Sequence, residues 1–310
     1  MNSEFKEEKV ITDKVFTLPA DADGRKKMEE RIEEKHGIKD ASVIARSILS
    51  KEIKAFFIGG GKRYITLFAT HHALESITAN LAYMLIDTLL EAEEKGRIYG
   101  IDCKLLLSKY RFVVVPCVNP DGVELRYHGL GRTPLYDRLM RMSGGNFSTW
   151  QANARGVDLN HNYNAGFAEY KRLEAEKGIY GGAPTRFSGE SPESEPEVGY
   201  LCNFVRFHDD FAMALTLHTQ GEEIYYTSGG EVPPKGEQIG ARLASLCDYS
   251  LSKPEGRAAY GGFTDWFIRE FARPSFTVEC GKGENPLPLS DFPMMYLRLR
   301  KMLFCAPFLI

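Results

Sequence analysis

Apolar positions recur at two spacings along this chain, and the switches between them lay out its elements. Residues 25–36, Arg-Lys-Lys-Met-Glu-Glu-Arg-Ile-Glu-Glu-Lys-His, carry Met28 and Ile32 four apart in a polar surround and stop at Gly37. That is the pattern of an exposed amphipathic helix whose charges form its solvated face. Short β-rich runs follow at 42–49, 53–58 and 64–69, and Gly59-Gly-Gly61 between the last two reads as a hairpin turn. From Leu74 to Glu94 the spacing turns helical, with Leu81, Met84, Leu85, Thr88 and Leu89 on one stripe. Three later runs, 112–116, 211–217 and 275–278, are largely apolar, as strands buried on both faces are. Helical patterns over 193–207, 235–249, 263–271 and 291–304 separate or follow them.

Strands alternating with helices predict a single three-layer α/β/α domain around a central mixed, mostly parallel sheet. Residues 1–41 are expected to form a helical extension packed on the domain proper, 42–310. Residues 119–190, rich in Gly, Asn and Tyr, show little regular periodicity, and such stretches in compact domains are often functional.

Composition narrows the picture further. With 310 residues and 43% hydrophobic content the chain can bury a sizeable core. Lys+Arg at 39 against Asp+Glu at 42 gives a net charge of −3, which leaves no global positive field for nucleic acid or anionic lipid, so neither is expected as a partner. Residues 1–10 have no apolar leader core, and no stretch reaches the roughly 18 apolar residues of a membrane span. A cytoplasmic location is expected. Six scattered cysteines without CxxC spacing fit reduced core thiols.

Candidate chemistry collects at the carboxyl ends of the predicted strands, where open α/β sheets place their ligand crevices. Thr70-His71-His72-Ala-Leu-Glu75 follows the run 64–69, Asn119-Pro-Asp-Gly122 follows 112–116, His218-Thr-Gln-Gly221 follows 211–217, and Glu279 follows 275–278. His72 and Glu75, three apart at a helix entrance, can face one point. With His218 they supply two imidazoles and a carboxylate, a set suited to catalytic Zn²⁺ with an open position for water. His-x-x-Glu alone also reads as a helix N-terminus with incidental polar residues, and His71, one residue off, reads as a neighbour. Glu279 ends an apolar strand, where an unpaired carboxylate is costly. It reads as a general base beside a metal site or as half of a surface salt bridge.

His72-x-x-Glu75, Asn119-Pro-Asp-Gly122, Asn153-Ala-Arg-Gly-Val-Asp-Leu-Asn160, Ser194-Glu-Pro-Glu197, His218-Thr-Gln-Gly-Glu222 and Phe276-Thr-Val-Glu279 occur in the order seen in zinc carboxypeptidases. From about residue 42 onward the chain resembles the zinc metallocarboxypeptidase family. The 153–160 run, His218-Thr-Gln-Gly-Glu222 and Gly283-Glu-Asn-Pro-Leu-Pro288 look like its γ-D-glutamyl-diamino acid peptidases and murein peptide amidases. No GxSxG or HExxH favours another hydrolase class.

The resemblance implies a carboxypeptidase-like catalytic domain in which one zinc is held by His72, Glu75 and His218, with Glu279 as general base. It implies that Asp158 orients His72 from behind and that Asn119 and Asn160 lie in the substrate groove; a zinc hydrolase also needs a cation for the oxyanion, for which Arg155 is the candidate, a structural loop arginine being the alternative. His161 stands where typical members carry the arginine that grips a terminal carboxylate, and histidine is a weaker, pH-dependent substitute. Arg257, in the segment resembling the specificity loop, is a candidate for the missing charge. Thr264, near the side-chain pocket, argues against a large apolar side chain there. The implied reaction is hydrolysis of an amide bond in bacterial cell-wall peptides, γ-D-glutamyl–meso-diaminopimelate in particular, on a peptide or muropeptide substrate. The alternatives are a zinc carboxypeptidase acting on ordinary or polyglutamate peptides and a non-catalytic module that binds wall peptides.

Overall fold

A computed structural model describes residues 13–37, 40–98, 100–208 and 210–310. The leader reading of residues 1–10 and the first twelve residues of the expected 1–41 extension lie outside the described residues.

Eight strands form one sheet: β1 (Ala41–Arg46), β2 (Glu52–Ile58), β3 (Arg63–Ala69), β4 (Tyr110–Val115), β5 (Phe211–His218), β6 (Glu223–Tyr225), β7 (Ser250–Ser252) and β8 (Ser275–Glu279). Their spatial order is β1-β2-β4-β3-β5-β8-β6-β7. The four central strands, β4, β3, β5 and β8, run parallel, whereas β1 and β2 pair antiparallel on one side and β6 is antiparallel to β8 on the other. All four central carboxyl ends therefore open on the same edge.

Side-chain alternation divides β3, β4 and β5 between two cores. Ile65, Leu67 and Ala69 of β3 face a cluster shared with α1 (Ala22–His36), α2 (Ile77–Lys95), α3 (Cys103–Lys109), α8 (Gly236–Cys247) and α10 (Phe292–Cys305). Phe68 faces the opposite cluster with α7 (Pro196–Arg206) and α9 (Phe263–Phe271). Burial on both faces explains why the central runs read as continuously apolar. The expected α/β/α layering around a mostly parallel mixed sheet is what the structure has.

Three details differ from expectation. Strands β2 and β3 do not form a hairpin, because β4 lies between them and pairs with both. Gly59-Gly-Gly61 instead carries the chain over the end of α3, where the Gly60 and Gly61 amides donate to the Leu107 carbonyl at 2.9 and 3.1 Å. Residues 119–190 hold three helices, α4 (Pro120–His128), α5 (Tyr136–Ser143) and α6 (Phe167–Ala175). The first two pack on a small satellite cluster that includes Val123, Leu125, Leu139, Phe147 and Trp150 rather than on either main core. The helix at 22–36 buries Met28 and Ile32 fully, but its charges are more than a solvated face. Lys35 pairs with buried Asp87 at 2.8 Å, the two His36 ring nitrogens face Asp87 and Glu94 at 3.0 and 2.8 Å, and Arg25 is 9% exposed with its guanidinium on the Ala20 carbonyl.

All six cysteines are free, five of them buried. Among the described residues no helix is long and apolar enough to cross a membrane.

A Cβ on Gly61 would sit 2.1 Å from the Lys109 carbonyl carbon and the Tyr110 nitrogen, whereas one on Gly60 meets nothing within 4 Å. Backbone cannot give way as a flexible side chain does, so Gly61→Ala should destabilise by about 2–4 kcal/mol in denaturant unfolding, with Gly60→Ala within about 0.5 kcal/mol of wild type.

Candidate metal centre and cleft

Three strand ends assemble the centre. Beyond β3 the chain leaves the sheet at Thr70, and a 3₁₀ turn, Ala73–Glu75, brings Glu75 back beside His72 before α2 begins. His218 is the last residue of β5 and Glu279 the last of β8, and the two are register partners. Glu75 bridges both imidazoles: Oε1 lies 2.9 Å from His72 Nδ1 and Oε2 lies 3.0 Å from His218 Nδ1. The Thr219 amide also donates to Oε2, at 3.3 Å. Donor atoms of His72, Glu75 and His218 all lie within 4.8 Å of one another.

Behind His72, Asp158 accepts from Nε2 at 3.0 Å through Oδ1, while its Oδ2 accepts the Arg186 amide at 3.0 Å. Nε2–H is thereby committed outward, leaving Nδ1 toward Glu75. Two imidazole nitrogens and one carboxylate converging this way fit a zinc ion, whose ligands at bond lengths near 2.1 Å stand roughly 3.4 Å apart in a tetrahedron. His218 Nε2 is buried without a partner, so the only partnered nitrogen of that ring is the one turned to the cluster. His71 is fully buried outside the donor set, with its Nε2 2.9 Å from the Tyr163 hydroxyl and its ring stacked on His218.

Charge in this buried centre is strongly coupled. Burial alone would raise the Glu75 pKa, but His72 and His218 outweigh it and hold the carboxyl down at about 2. Burial would likewise lower His72, yet the Glu75 and Asp158 carboxylates hold it well above the ordinary histidine value. For Glu279, burial and then the nearby Glu75 charge outweigh the opposing pull of His72 and push its carboxyl up to about 8.

A cleft of about 240 Å³ adjoins the centre, lined by His72, His218 and Glu279 together with Asn160, His161, Arg257 and Thr264. Asn160 is oriented by the Phe263 amide, which donates to its Oδ1 at 3.1 Å. His161 donates from Nδ1 to the Tyr260 carbonyl at 3.0 Å and stacks on Tyr170 with centroids 4.0 Å apart. Burial lowers its pKa, so it faces the cleft as a neutral ring. Thr264 Oγ1 lies among the hydroxyls of Thr216, Ser275 and Thr277, the Thr277 contact being 2.9 Å, so this part of the wall is polar. Arg257 Nη1 is buried without a hydrogen-bond partner.

Two expected residues stand elsewhere. Asn119 is fully buried and internally satisfied: its Nδ2 donates to the His71 and Gln151 carbonyls, and its Oδ1 caps α4 through the Gly122 amide. Arg155 is not among the residues lining the cleft, and its Nε lies 3.3 Å from buried Glu195, so an oxyanion role does not follow from its placement. Arg186, Tyr170, Tyr225 and Asp265 line the cleft and were not anticipated. Arg186 lies within an irregular stretch, in a left-handed conformation (φ +70) held by Asp158 at its amide and Tyr170 at its carbonyl; no sequence pattern marks such a position.

The zinc carboxypeptidase family profile matches residues 26–298. The chain is 34% identical over 257 residues to γ-D-glutamyl-L-diamino acid endopeptidase 1 of Lysinibacillus sphaericus, covering 82% of this chain and 63% of that protein. It is 27% identical over 215 residues to murein peptide amidase A of Escherichia coli K12, covering 64% of this chain and 69% of that one. The crystal structure of carboxypeptidase A from Helicoverpa armigera shares the fold, with a TM-score of 0.71 over 95% of this chain and 74% of that one at 18% identity. A profile match that extends from α1 into α10, on a fold of this kind, makes the chain a member of the zinc carboxypeptidase family of metallopeptidases.

Proposed function

We propose that this metallopeptidase hydrolyses an amide bond in bacterial cell-wall peptides, the γ-D-glutamyl–meso-diaminopimelate linkage in particular. The observation that carries the reading is the pair of arginines on the cleft wall. A neutral, carbonyl-bound His161 occupies the position of the usual carboxylate-gripping arginine, while Arg257 presents a buried, partnerless Nη1 and Arg186 lies on the same lining. Such a wall suits an acidic substrate anchored differently from an ordinary C-terminal residue. The names of the relatives from L. sphaericus and E. coli point to the same substrate class.

In this reading His72, Glu75 and His218 hold zinc, which would supply Lewis acidity toward the scissile carbonyl and a lowered pKa for water. Asp158 keeps the His72 ring in one tautomer and orientation. Glu279, at the end of β8 beside His218, takes a proton from the attacking water in its ionised form, which a cation held against Glu75 would favour, and delivers it to the departing amine. Asn160 and Arg257 hold the substrate, and Thr264 contributes to a polar pocket for its side chain.

Incubation with L-Ala-γ-D-Glu-meso-diaminopimelate should release diaminopimelate, while hippuryl amino acids stay intact; the reverse outcome rejects the substrate assignment in favour of an ordinary carboxypeptidase. Glu279→Gln should lower kcat by about 10²–10⁴-fold with zinc content by plasma emission unchanged. Unaltered turnover in that variant would remove Glu279 from the chemistry, and well under one zinc per wild-type chain would favour a binding module. Arg257→Ala, which deletes a charge-assisted contact, should raise KM by about 10–100-fold with kcat changed far less.

A further inference from the structure

The loop after β8 carries Gly283-Glu-Asn-Pro-Leu-Pro288, a run that the chemistry above does not use. Its centre, Asn285, makes two reciprocal hydrogen bonds with Thr219, the residue following His218. Thr219 Oγ1 donates to Asn285 Oδ1 at 2.7 Å, and Asn285 Nδ2 donates to the Thr219 carbonyl at 2.8 Å. Thr219 is 5% exposed, and its own amide donates to Glu75 Oε2, the oxygen that also faces His218 Nδ1. A continuous hydrogen-bonded path therefore runs from the loop, through one residue's backbone, to the carboxylate of the centre.

The rest of this region supports the same contact. The Cys280 amide donates to the His218 carbonyl at 2.7 Å, the Gly221 amide to the Gly281 carbonyl at 2.9 Å, and the Gly283 amide to Gln220 Oε1 at 3.3 Å. Leu287, 6% exposed, seats the loop on the main core. Of these contacts, only the Asn285 pair grips Thr219 on both its side chain and its carbonyl. The chemistry of the pair is specific to an amide. The backbone carbonyl needs a donor and the hydroxyl needs an acceptor, and an asparagine side chain supplies one of each at fixed separation. An aspartate at 285 would set a second acceptor against the Thr219 carbonyl.

We infer that Asn285 is a positioning residue for the metal centre, clamping Thr219 so that its amide stays on Glu75 and His218 stays turned toward it. The inference rests on the reading that His72, Glu75 and His218 hold zinc. Glu75 is gripped on one oxygen by the Thr219 amide as well as by imidazole, so loosening Thr219 frees the carboxylate to rotate and His218 to shift. Outer partners of metal ligands commonly govern affinity in this way.

The test is zinc affinity of the full-length protein, measured by competition with a chromophoric chelator after stripping, alongside the visible spectrum of the cobalt(II)-substituted protein. Asn285→Ala and Asn285→Asp should each weaken zinc binding by about tenfold or more and alter the cobalt spectrum, while Thr219→Ser, which keeps the hydroxyl, matches wild type in both. The thermal midpoint of the metal-free variants separates lost folding from lost affinity. Where Asn285→Ala does not fold, Thr219→Val, which removes half of the clamp, is expected to weaken zinc several-fold. Folded Asn285 variants, or in their absence Thr219→Val, that bind zinc as wild type does overturn the inference. Wild-type protein that binds no zinc removes the metal reading itself, and the clamp's role with it.

Discussion

A carboxylate only 3% exposed at the edge of a buried sheet must be met by positive charge or hydrogen-bond donors, and Glu75 receives both. Each of its oxygens faces an imidazole nitrogen, and one also accepts a backbone amide. Much of the surrounding structure serves that arrangement. The parallel centre of the sheet places β3 and β5 side by side so that residues 75 and 218, distant in sequence, meet at one edge. Asp158 commits the far nitrogen of His72, and the β8 ladder holds Glu279 beside His218. A topology with these strands antiparallel would send their ends to opposite edges and disperse the same residues.

Legibility in the sequence followed the length and burial of each element. The long central strands and helices were legible because two-sided burial writes continuous apolar runs and one-sided burial writes a helical stripe. Strands β6 and β7, three residues each, are too short to write a period. Helix α5 has only 8 residues and buries only Leu139, too short a run to stand out as a helical segment within an otherwise irregular stretch. The false hairpin at Gly59-Gly-Gly61 has a topological cause: glycine marks a tight passage equally well whether the strands on either side pair with each other or admit a third between them.

The centre was more legible than the cleft for a chemical reason. Two histidines and a glutamate at strand ends have few uses beyond metal binding once they meet, whereas Asn119 at a strand end is equally suited to lining a groove or capping a helix, and here it caps α4. Arg155 shows the same ambiguity, since an arginine in a loop binds whichever buried carboxylate it reaches, here Glu195. Arg186 enters the cleft only through a left-handed backbone that Asp158 and Tyr170 hold, a tertiary effect without a local signature.

The consequence of His161 follows from its surroundings rather than from its residue type. Its Nδ1–H is spent on the Tyr260 carbonyl, its face is covered by Tyr170, and burial depresses its pKa, so the neutral ring offers only Nε2 as a hydrogen-bond acceptor. An acceptor repels a carboxylate where the usual arginine would attract one with two parallel donors. On the proposed reading, the anchoring of substrate charge therefore passes to guanidiniums elsewhere on the wall, and Arg257, with a buried nitrogen lacking any partner, is the group whose desolvation an incoming carboxylate would offset.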